Sequence, residues 1–225
     1  MKYPITIIFT ILLFACNKQE NAISTIPFEY DNEAKAQGFN IFYVPVQIES
    51  IQKPFRMQFD LGHDVNVIYE NPLNSIIKAY PGIGNKLIAR QDYSILKTPY
   101  SIGSIKSTLD SLFLYEGYGD DTIAETLDVI GSIGVNEFQK NIRLINYPEQ
   151  YINVLQNNTQ LNEQNFEITE MSVTANKKVI IKIMVNGREY DMLFDTGNGV
   201  PLPTLNNDFY DLLTKNQSDL RDTIS

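Results

Sequence analysis

The sequence contains no tryptophan, one cysteine and one histidine among its 225 residues. A single cysteine excludes a disulfide within the chain, and so few cysteines and histidines argue against a metal site. Basic residues are also scarce, since 18 Lys and Arg stand against 27 Asp and Glu, for a formal net charge of −9. Nucleic-acid binding needs a basic face. We therefore expect no metal, no other cofactor and no nucleic-acid partner.

Apolar residues are abundant: they form 43% of the chain, and aromatic residues form 11%. This composition predicts a packed core and excludes general disorder. The length suits one large domain or two small lobes.

The N-terminus reads "MKYPITIIFTILLFAC", with a lysine, an apolar run and then Cys16. The run is too short to span a bilayer and is typical of a signal peptide. Residues 13–16 resemble the lipobox of bacterial lipoproteins. That resemblance implies cleavage before Cys16 and its lipidation, which would place an exported protein in the bacterial cell envelope, anchored at the outer membrane. An ordinary signal peptide with a chance cysteine is the alternative.

Two stretches of the chain follow one pattern. "FYVPVQIESIQKPFRMQFDLG" (42–62) and "VIIKIMVNGREYDMLFDTG" (179–197) each give a strand, a turn, a second strand and then Asp-x-Gly. Asn186-Gly187 is a strong signal for a two-residue hairpin turn. The pattern predicts an internal duplication of a mostly β unit, with one acid in each unit.

The duplication and the uniformly polar run "QNNTQLNEQN" set the predicted boundaries. The fold class is mainly β. The predicted segments are a signal peptide (1–15), a tether (16–27), a first lobe (28–155), a linker (156–165) and a partial second lobe (166–225). The second unit is much shorter than the first, so we also consider that the chain is a fragment.

The two Asp-x-Gly turns after apolar strands resemble the active turns of retropepsin-like and pepsin-like aspartic proteases. "VIGSIG" (129–134) is similar to the apolar-apolar-Gly segment that packs behind an active loop in that family. The resemblance covers most of residues 40–155 and, in part, 178–212. It implies a retropepsin-like (acid protease) β-barrel lobe followed by a partial second copy.

The resemblance also implies a lipid-anchored peptidase whose two carboxylates share one proton and activate water. The catalytic acids would be Asp60 and Asp195, and the substrate would be a peptide or protein bound in an extended form. The supporting turn residues would be Gly62, Thr196, Gly197, Gly131 and Gly134. The membrane would be a partner through lipid on Cys16.

Two residues depart from the family pattern. Leu61 stands where the family has Thr or Ser, whose hydroxyl helps to lock the two active loops together. His63 stands where a small residue is usual, and a cation there would favour the ionised form of Asp60. Each acid could also be a turn residue that caps backbone amides. The alternatives are a non-catalytic peptide-binding or structural lipoprotein with this fold, or an unrelated β-rich nutrient-binding lipoprotein.

Overall fold

We analysed a computed structural model of the chain, which is mainly β and contains a sheet curled into a half-barrel. The residues it describes are 24–36, 38, 40–121, 128–138, 142–155, 170–185 and 187–198. Among them are sixteen strands, two α-helices and two 3-10 helices.

The strands are β1 (Ser24–Pro27), β2 (Glu29–Tyr30), β3 (Phe42–Ile48), β4 (Phe55–Phe59), β5 (Val67–Tyr69), β6 (Leu87–Ala89), β7 (Ser94–Lys97), β8 (Tyr100–Ile102), β9 (Ile105–Lys106), β10 (Ser111–Tyr115), β11 (Val129–Ile133), β12 (Ile142–Asn146), β13 (Tyr151–Leu155), β14 (Met171–Val173), β15 (Val179–Val185) and β16 (Arg188–Leu193). The helices are α1 (Asn32–Ala36), α2 (Glu70–Ala79) and the 3-10 helices Pro81–Lys86 and Val135–Phe138.

The largest sheet has ten strands and contains the core of the first unit. Its order is β6-β7-β10-β5-β11-β4-β3-β8-β9, with β2 also paired to β3. Alternate residues of β3 and β4 are buried, as expected for strands with one face on a core. The pairing is antiparallel except for β10 with β5 and β11 with β4. The predicted fold class, mainly β, is confirmed.

Strand β11 positions the first Asp turn, because it lies parallel to β4 and extends to the point where β4 ends. The close approach of its neighbours requires glycine at two positions. A Cβ at Gly131 would overlap the Val67 carbonyl oxygen, and one at Gly134 would overlap the Val65 carbonyl oxygen. Backbone of the segment 65–67 therefore packs directly against these two glycines.

A second, three-stranded sheet has the order β1-β13-β12. Ser24–Pro27 pairs with Tyr151–Leu155, and Ile26 is buried in the core. The last four residues of the segment predicted as a tether are therefore part of a sheet. The physical reason is that one apolar side chain in this polar stretch faces the core.

The third sheet, β14-β15-β16, belongs to the second unit. Its strands β15 and β16 form the predicted hairpin, whose pairing runs from Ile180 opposite Leu193 to Val185 opposite Arg188. That register leaves a two-residue turn, and Gly187 adopts a positive φ of 75° in it.

Several predictions fall outside the described residues. They concern the signal peptide, the lipidation site Cys16, the linker 156–165, the turn residue Asn186 and the chain from 199 onward. None of the helices in the described ranges is long and apolar enough to cross a membrane.

Candidate active site

Asp60 follows directly after strand β4 and is 9% exposed. Its backbone N–H donates to the Ile133 carbonyl oxygen at 3.0 Å, which ties the turn to β11. Its carboxyl oxygen Oδ1 accepts a hydrogen bond from the Gly62 N–H at 2.8 Å. Gly62 thus lets the backbone curl until an amide reaches the carboxylate. The prediction that Asp60 lies at a strand end beside the Ile130–Gly134 segment is confirmed.

Asp195 makes the same turn two residues after β16 ends. Its Oδ1 accepts hydrogen bonds from the Gly197 N–H at 2.9 Å and from the Asn198 N–H at 3.1 Å. The two repeats of the sequence pattern therefore produce the same local hydrogen bonding at their acids.

The two turns face each other, and each glycine packs on the acid of the other unit. A Cβ at Gly62 would lie 2.5 Å from the carboxyl group of Asp195, and a Cβ at Gly197 would overlap that of Asp60. The Asp195 carboxyl is close enough to Asp60 to raise the pKa of Asp60. Both glycines are required because any side chain would displace the opposite carboxylate.

Thr196 connects the two turns directly. Its buried hydroxyl accepts a hydrogen bond from the Leu61 N–H at 3.0 Å and donates to the Phe59 carbonyl oxygen at 2.9 Å. Leu61 occupies the corresponding position of the first turn and has no hydroxyl. The lock between the turns is therefore made from one side.

Two further side chains join the units next to the acids. The Gln58 amide Nε2 donates to the Gly197 carbonyl oxygen at 3.1 Å. The Lys178 ammonium group donates to the Gly62 carbonyl oxygen. The backbone of each turn thus accepts a hydrogen bond from a side chain of the other unit.

A buried amide supports the first turn from behind. Asn66 is fully buried, and its Oδ1 accepts from the Gly134 N–H at 2.8 Å. Its Nδ2 donates to Tyr100 Oη at 2.5 Å and to Glu137 Oε2 at 2.9 Å. This network joins the Asp60 loop to the chain that follows β11.

His63 lies on the exposed side of the Asp60 turn. Its Nδ1 is 2.8 Å from Ser132 Oγ and 3.6 Å from Asp60 Oδ2. Ser132 is fully buried. The His63 ring therefore lies next to the Asp60 carboxyl, where the sequence analysis expects a cation to favour the ionised form of that acid.

The electrostatic environments of Asp60 and Tyr69 follow from these contacts. Burial raises the pKa of Asp60 above its ordinary 3.8; His63 lowers this pKa, the Asp195 carboxyl raises it, and the Gly62 N–H lowers it. Burial is the largest cause that raises the pKa of Tyr69 to about 12, and the charge of Asp60 adds to it. A buried carboxyl beside a second carboxyl favours retention of a proton.

A pocket of about 320 Å³ opens beside the second acid. Its walls combine aromatic and amide side chains with the Asp195 turn. The lining residues are Tyr30, Asn40, Tyr147, Phe194, Asp195, Thr196 and Asn198.

Sequence reasoning missed Ser132, Asn66, Gln58 and Lys178. Ser132 lies between Gly131 and Gly134, and this position beside the Asp60 turn was the signal that could have identified it. The other three carried no signal, because a lone amide or lysine is usually solvated. Within the described ranges, no group of three or more His, Cys, Asp or Glu side chains is arranged to hold a metal ion.

Comparisons with known proteins add no family to this geometry. No family model matches the chain, and no curated protein matches it significantly.

Proposed function

We propose that this chain is a retropepsin-like, aspartic-protease-like hydrolase in which Asp60 and Asp195 act as one dyad on a peptide bond. The observation that supports this best is the reciprocal packing of the turns, in which each glycine contacts the other unit's carboxyl group. Two acids that only capped their own turns would not need bare backbone opposite each other. Fold resemblance alone would not carry the proposal.

The chemistry requires that the dyad hold one proton, because two close carboxylates cannot both ionise easily. The ionised carboxyl takes a proton from water as the water oxygen bonds to the scissile carbonyl carbon. The protonated carboxyl donates a hydrogen bond to the carbonyl oxygen and stabilises its developing charge. When the C–N bond breaks, the leaving nitrogen takes a proton from the dyad, which is then ready for another turnover.

The substrate in this proposal is a peptide or protein segment in an extended form that crosses both turns. The pocket beside Asp195 is large enough for one bulky side chain, and its walls include the aromatic rings of Tyr30 and Tyr147. Aromatic walls with a few amide groups suit an apolar side chain that carries a polar end.

The test is cleavage of a mixed peptide library by the purified protein between about pH 3 and 7. We expect cleavage that an aspartic-protease inhibitor such as pepstatin blocks. Asp60→Asn and Asp195→Asn should each reduce kcat/KM by at least about 10³-fold, since neither acid works without the other. Denaturant unfolding of both variants controls for loss of fold. Robust cleavage that survives Asp195→Asn would defeat the dyad assignment.

One observation favours a second candidate, a non-catalytic peptide-binding lipoprotein with the same fold. Of the two corresponding turn positions, Thr196 alone supplies a hydroxyl that bonds to the other turn, because Leu61 has none to return the contact. Catalysis tolerates about an ångström of looseness poorly, whereas binding tolerates it better. In that case library peptides bind to the wild type and to Asp195→Asn alike and are recovered intact.

We further propose that lipid on Cys16 anchors the protein in the bacterial cell envelope, at the outer membrane. The support is the lipobox-like stretch at 13–16 together with an apolar run too short to span a bilayer. Labelling of cells with a radioactive fatty acid should mark the wild type and leave Cys16→Ser unmarked. Equal labelling of both would refute the anchor.

A further inference from the structure

His63 is the one histidine of the chain, and it lies beside the first acid of the dyad. Its Nδ1 is 2.8 Å from Ser132 Oγ and 3.6 Å from Asp60 Oδ2. The side chain is 38% exposed, so protons exchange between the ring and solvent. One nitrogen of a solvent-accessible ring therefore contacts both a fixed hydroxyl and a dyad carboxylate.

The surroundings hold the ring in this place. The His63 N–H donates to the Asp60 carbonyl oxygen at 3.2 Å, and the His63 carbonyl oxygen accepts from the Val135 N–H at 2.9 Å. Ser132, whose Oγ lies 2.8 Å from the His63 Nδ1, is fully buried on β11. Backbone and side-chain contacts together fix the distance between imidazole and carboxylate.

The other groups around the ring determine what its charge can do. The ring centroid of Tyr115 lies 6.3 Å from that of His63, and the ring centroid of Tyr69 lies 6.4 Å from that of Tyr115. The Lys178 ammonium bonds to the Gly62 carbonyl oxygen, one residue before His63. The titratable and charged groups that surround His63 are Asp60 and Asp64 in its own turn, Tyr69, Tyr115, Lys178 and, across the dyad, Asp195.

Among these groups, Asp60 places its carboxylate oxygen Oδ2 at 3.6 Å from the imidazole Nδ1. An imidazole beside a carboxylate is protonated in acid and favours the ionised carboxylate. Asp195 instead accepts its hydrogen bonds from the amides of Gly197 and Asn198. The residue at the position corresponding to His63 is Asn198, which cannot become a cation. The two acids are thus alike in their turns and different in the charge beside them.

We propose that His63 is a positioning residue that governs the ionisation of one acid of the dyad: its protonated ring opposes the effect of burial at Asp60 and lets this carboxyl ionise at a lower pH than it would without the ring. The consequence for cleavage rests on the proposed function, in which the dyad must hold one proton and one negative charge. The charge coupling between His63 and Asp60 does not depend on catalysis.

The sign of the pH effect follows from this arrangement. A cation at position 63 lets Asp60 ionise at lower pH, so activity persists further into acid. His63→Gln removes the cation and should move the acidic limb of the kcat/KM profile to higher pH by about one unit. His63→Lys restores a cation and should bring most of that limb back.

The first experiment measures the coupling without any assay of activity. The carboxyl ¹³C resonance of Asp60, assigned by its loss in Asp60→Asn, is titrated in the wild type, in His63→Gln and in His63→Lys. We expect the Asp60 midpoint in His63→Gln to move to higher pH, and His63→Lys to reverse the move. The single histidine should also show a second inflection in its ¹³Cε1 shift where Asp60 titrates, and Asp60→Asn should remove it.

The second experiment compares the pH profiles of cleavage for the same variants, with denaturant unfolding as the control for fold. An unchanged Asp60 midpoint in His63→Gln would overturn the inference, even if Asp60→Asn and Asp195→Asn abolish cleavage. A His63→Gln variant whose kcat/KM is lower than that of the wild type by the same factor at every pH would also overturn the inference, since that result indicates a merely structural role. If no variant cleaves anything, the proposed function fails and the ¹³C titration still decides whether the coupling exists.

Discussion

The two hairpins that end in the dyad acids follow one sequence pattern but differ in burial. In the first, β3–β4, the inward side chains are almost fully buried, and Met57 is 0% exposed. In the second, β15–β16, Val179 is the buried apolar residue, while Met184 is 66% and Leu193 47% exposed. In register with the acids, Met57 corresponds to Met192, which is only half-buried.

The difference arises from what covers each hairpin. In the first unit, β4 pairs with β11 as well as with β3, and all three strands belong to the ten-stranded sheet. In the described residues of the second unit, β16 pairs with β15 alone. The Asp195 turn nevertheless has the same local hydrogen bonds as the Asp60 turn.

Contacts with the first unit explain how the second turn keeps this geometry. Thr196 bonds to the Phe59 carbonyl and the Leu61 N–H, and Gln58 bonds to the Gly197 carbonyl. A large core of its own therefore holds the first acid, whereas side-chain contacts with the first unit hold the second. Mutations in the two hairpins should therefore have different consequences.

The largest loss of stability is expected at Gly131, where the packing of the first unit leaves no space for a side chain. Gly131→Ala places a Cβ against the Val67 carbonyl oxygen and 2.7 Å from Met57 Cε. Backbone cannot move aside as the end of a side chain can, so we expect a loss of about 4 kcal/mol in the free energy of unfolding. Gly82→Ala is the matched control, since no atom lies within 4 Å of its added Cβ. Urea denaturation followed by circular dichroism measures both, and equal midpoints would contradict the close packing of β11.

The next test uses the two methionines that correspond in the repeat. Met57→Ala should cost about 3 kcal/mol, because it leaves a cavity in a closed core. Met192→Ala should cost about 1 kcal/mol or less, because its side chain is half-buried and its surroundings can relax.

The two variants are compared by denaturant unfolding with m-values, so that a change in the unfolded state is detected. Hydrogen exchange of the same samples should show slower exchange in β3–β4 than in β15–β16. Similar losses for both methionines would mean that the second hairpin is as well covered as the first, and the comparison would fail.

The sequence predicted those features of the fold that depend on local patterns. Alternating apolar residues predicted β3 and β4, and Asn186-Gly187 predicted the register of β15–β16. The repeat predicted both acids as the ends of strands. It did so because an Asp-x-Gly turn is determined by three adjacent residues, whose hydrogen bonds are local.

What the sequence did not predict depends on residues far apart in the chain. The strand Ser24–Pro27 pairs with residues more than a hundred positions later, and a polar stretch gave no sign of it. The bonds of Ser132 to His63 and of Lys178 to Gly62 likewise require the tertiary arrangement of the turns. Periodicity reports which face of an element is buried and does not report its partner.

A smaller effect is expected at the contact that joins the hairpins. Thr196→Val keeps the shape and removes the hydroxyl, so the Leu61 N–H and the Phe59 carbonyl lose their shared partner. We expect a loss of about 1–2 kcal/mol in stability. The activity loss should be larger in proportion, because the Asp195 turn depends on this contact.

Thr196→Ser retains the hydroxyl and serves as the control for packing. Leu61→Thr supplies a hydroxyl at the corresponding position of the first turn and should raise kcat/KM if it restores the reciprocal lock. A Thr196→Val variant with wild-type stability and activity would mean that the two units do not depend on each other.

The smallest effect concerns the pH dependence of stability at the buried acid. Burial raises the pKa of Asp60 above 3.8, so the folded chain binds this proton more tightly than the unfolded chain does. The resulting stabilisation is fully present below about pH 3.8 and is lost as the pH rises through the raised pKa of Asp60. Asp60→Asn cannot ionise, so its stability relative to the wild type should increase across the same window and then level off. Denaturant unfolding of both proteins at half-unit steps from about pH 3 to 7 measures the difference. A stability difference that stays constant, or that falls as the pH rises, would show that burial is not the dominant influence on the pKa of Asp60. The difference in environment between Asp60 and Asp195 would then need another cause.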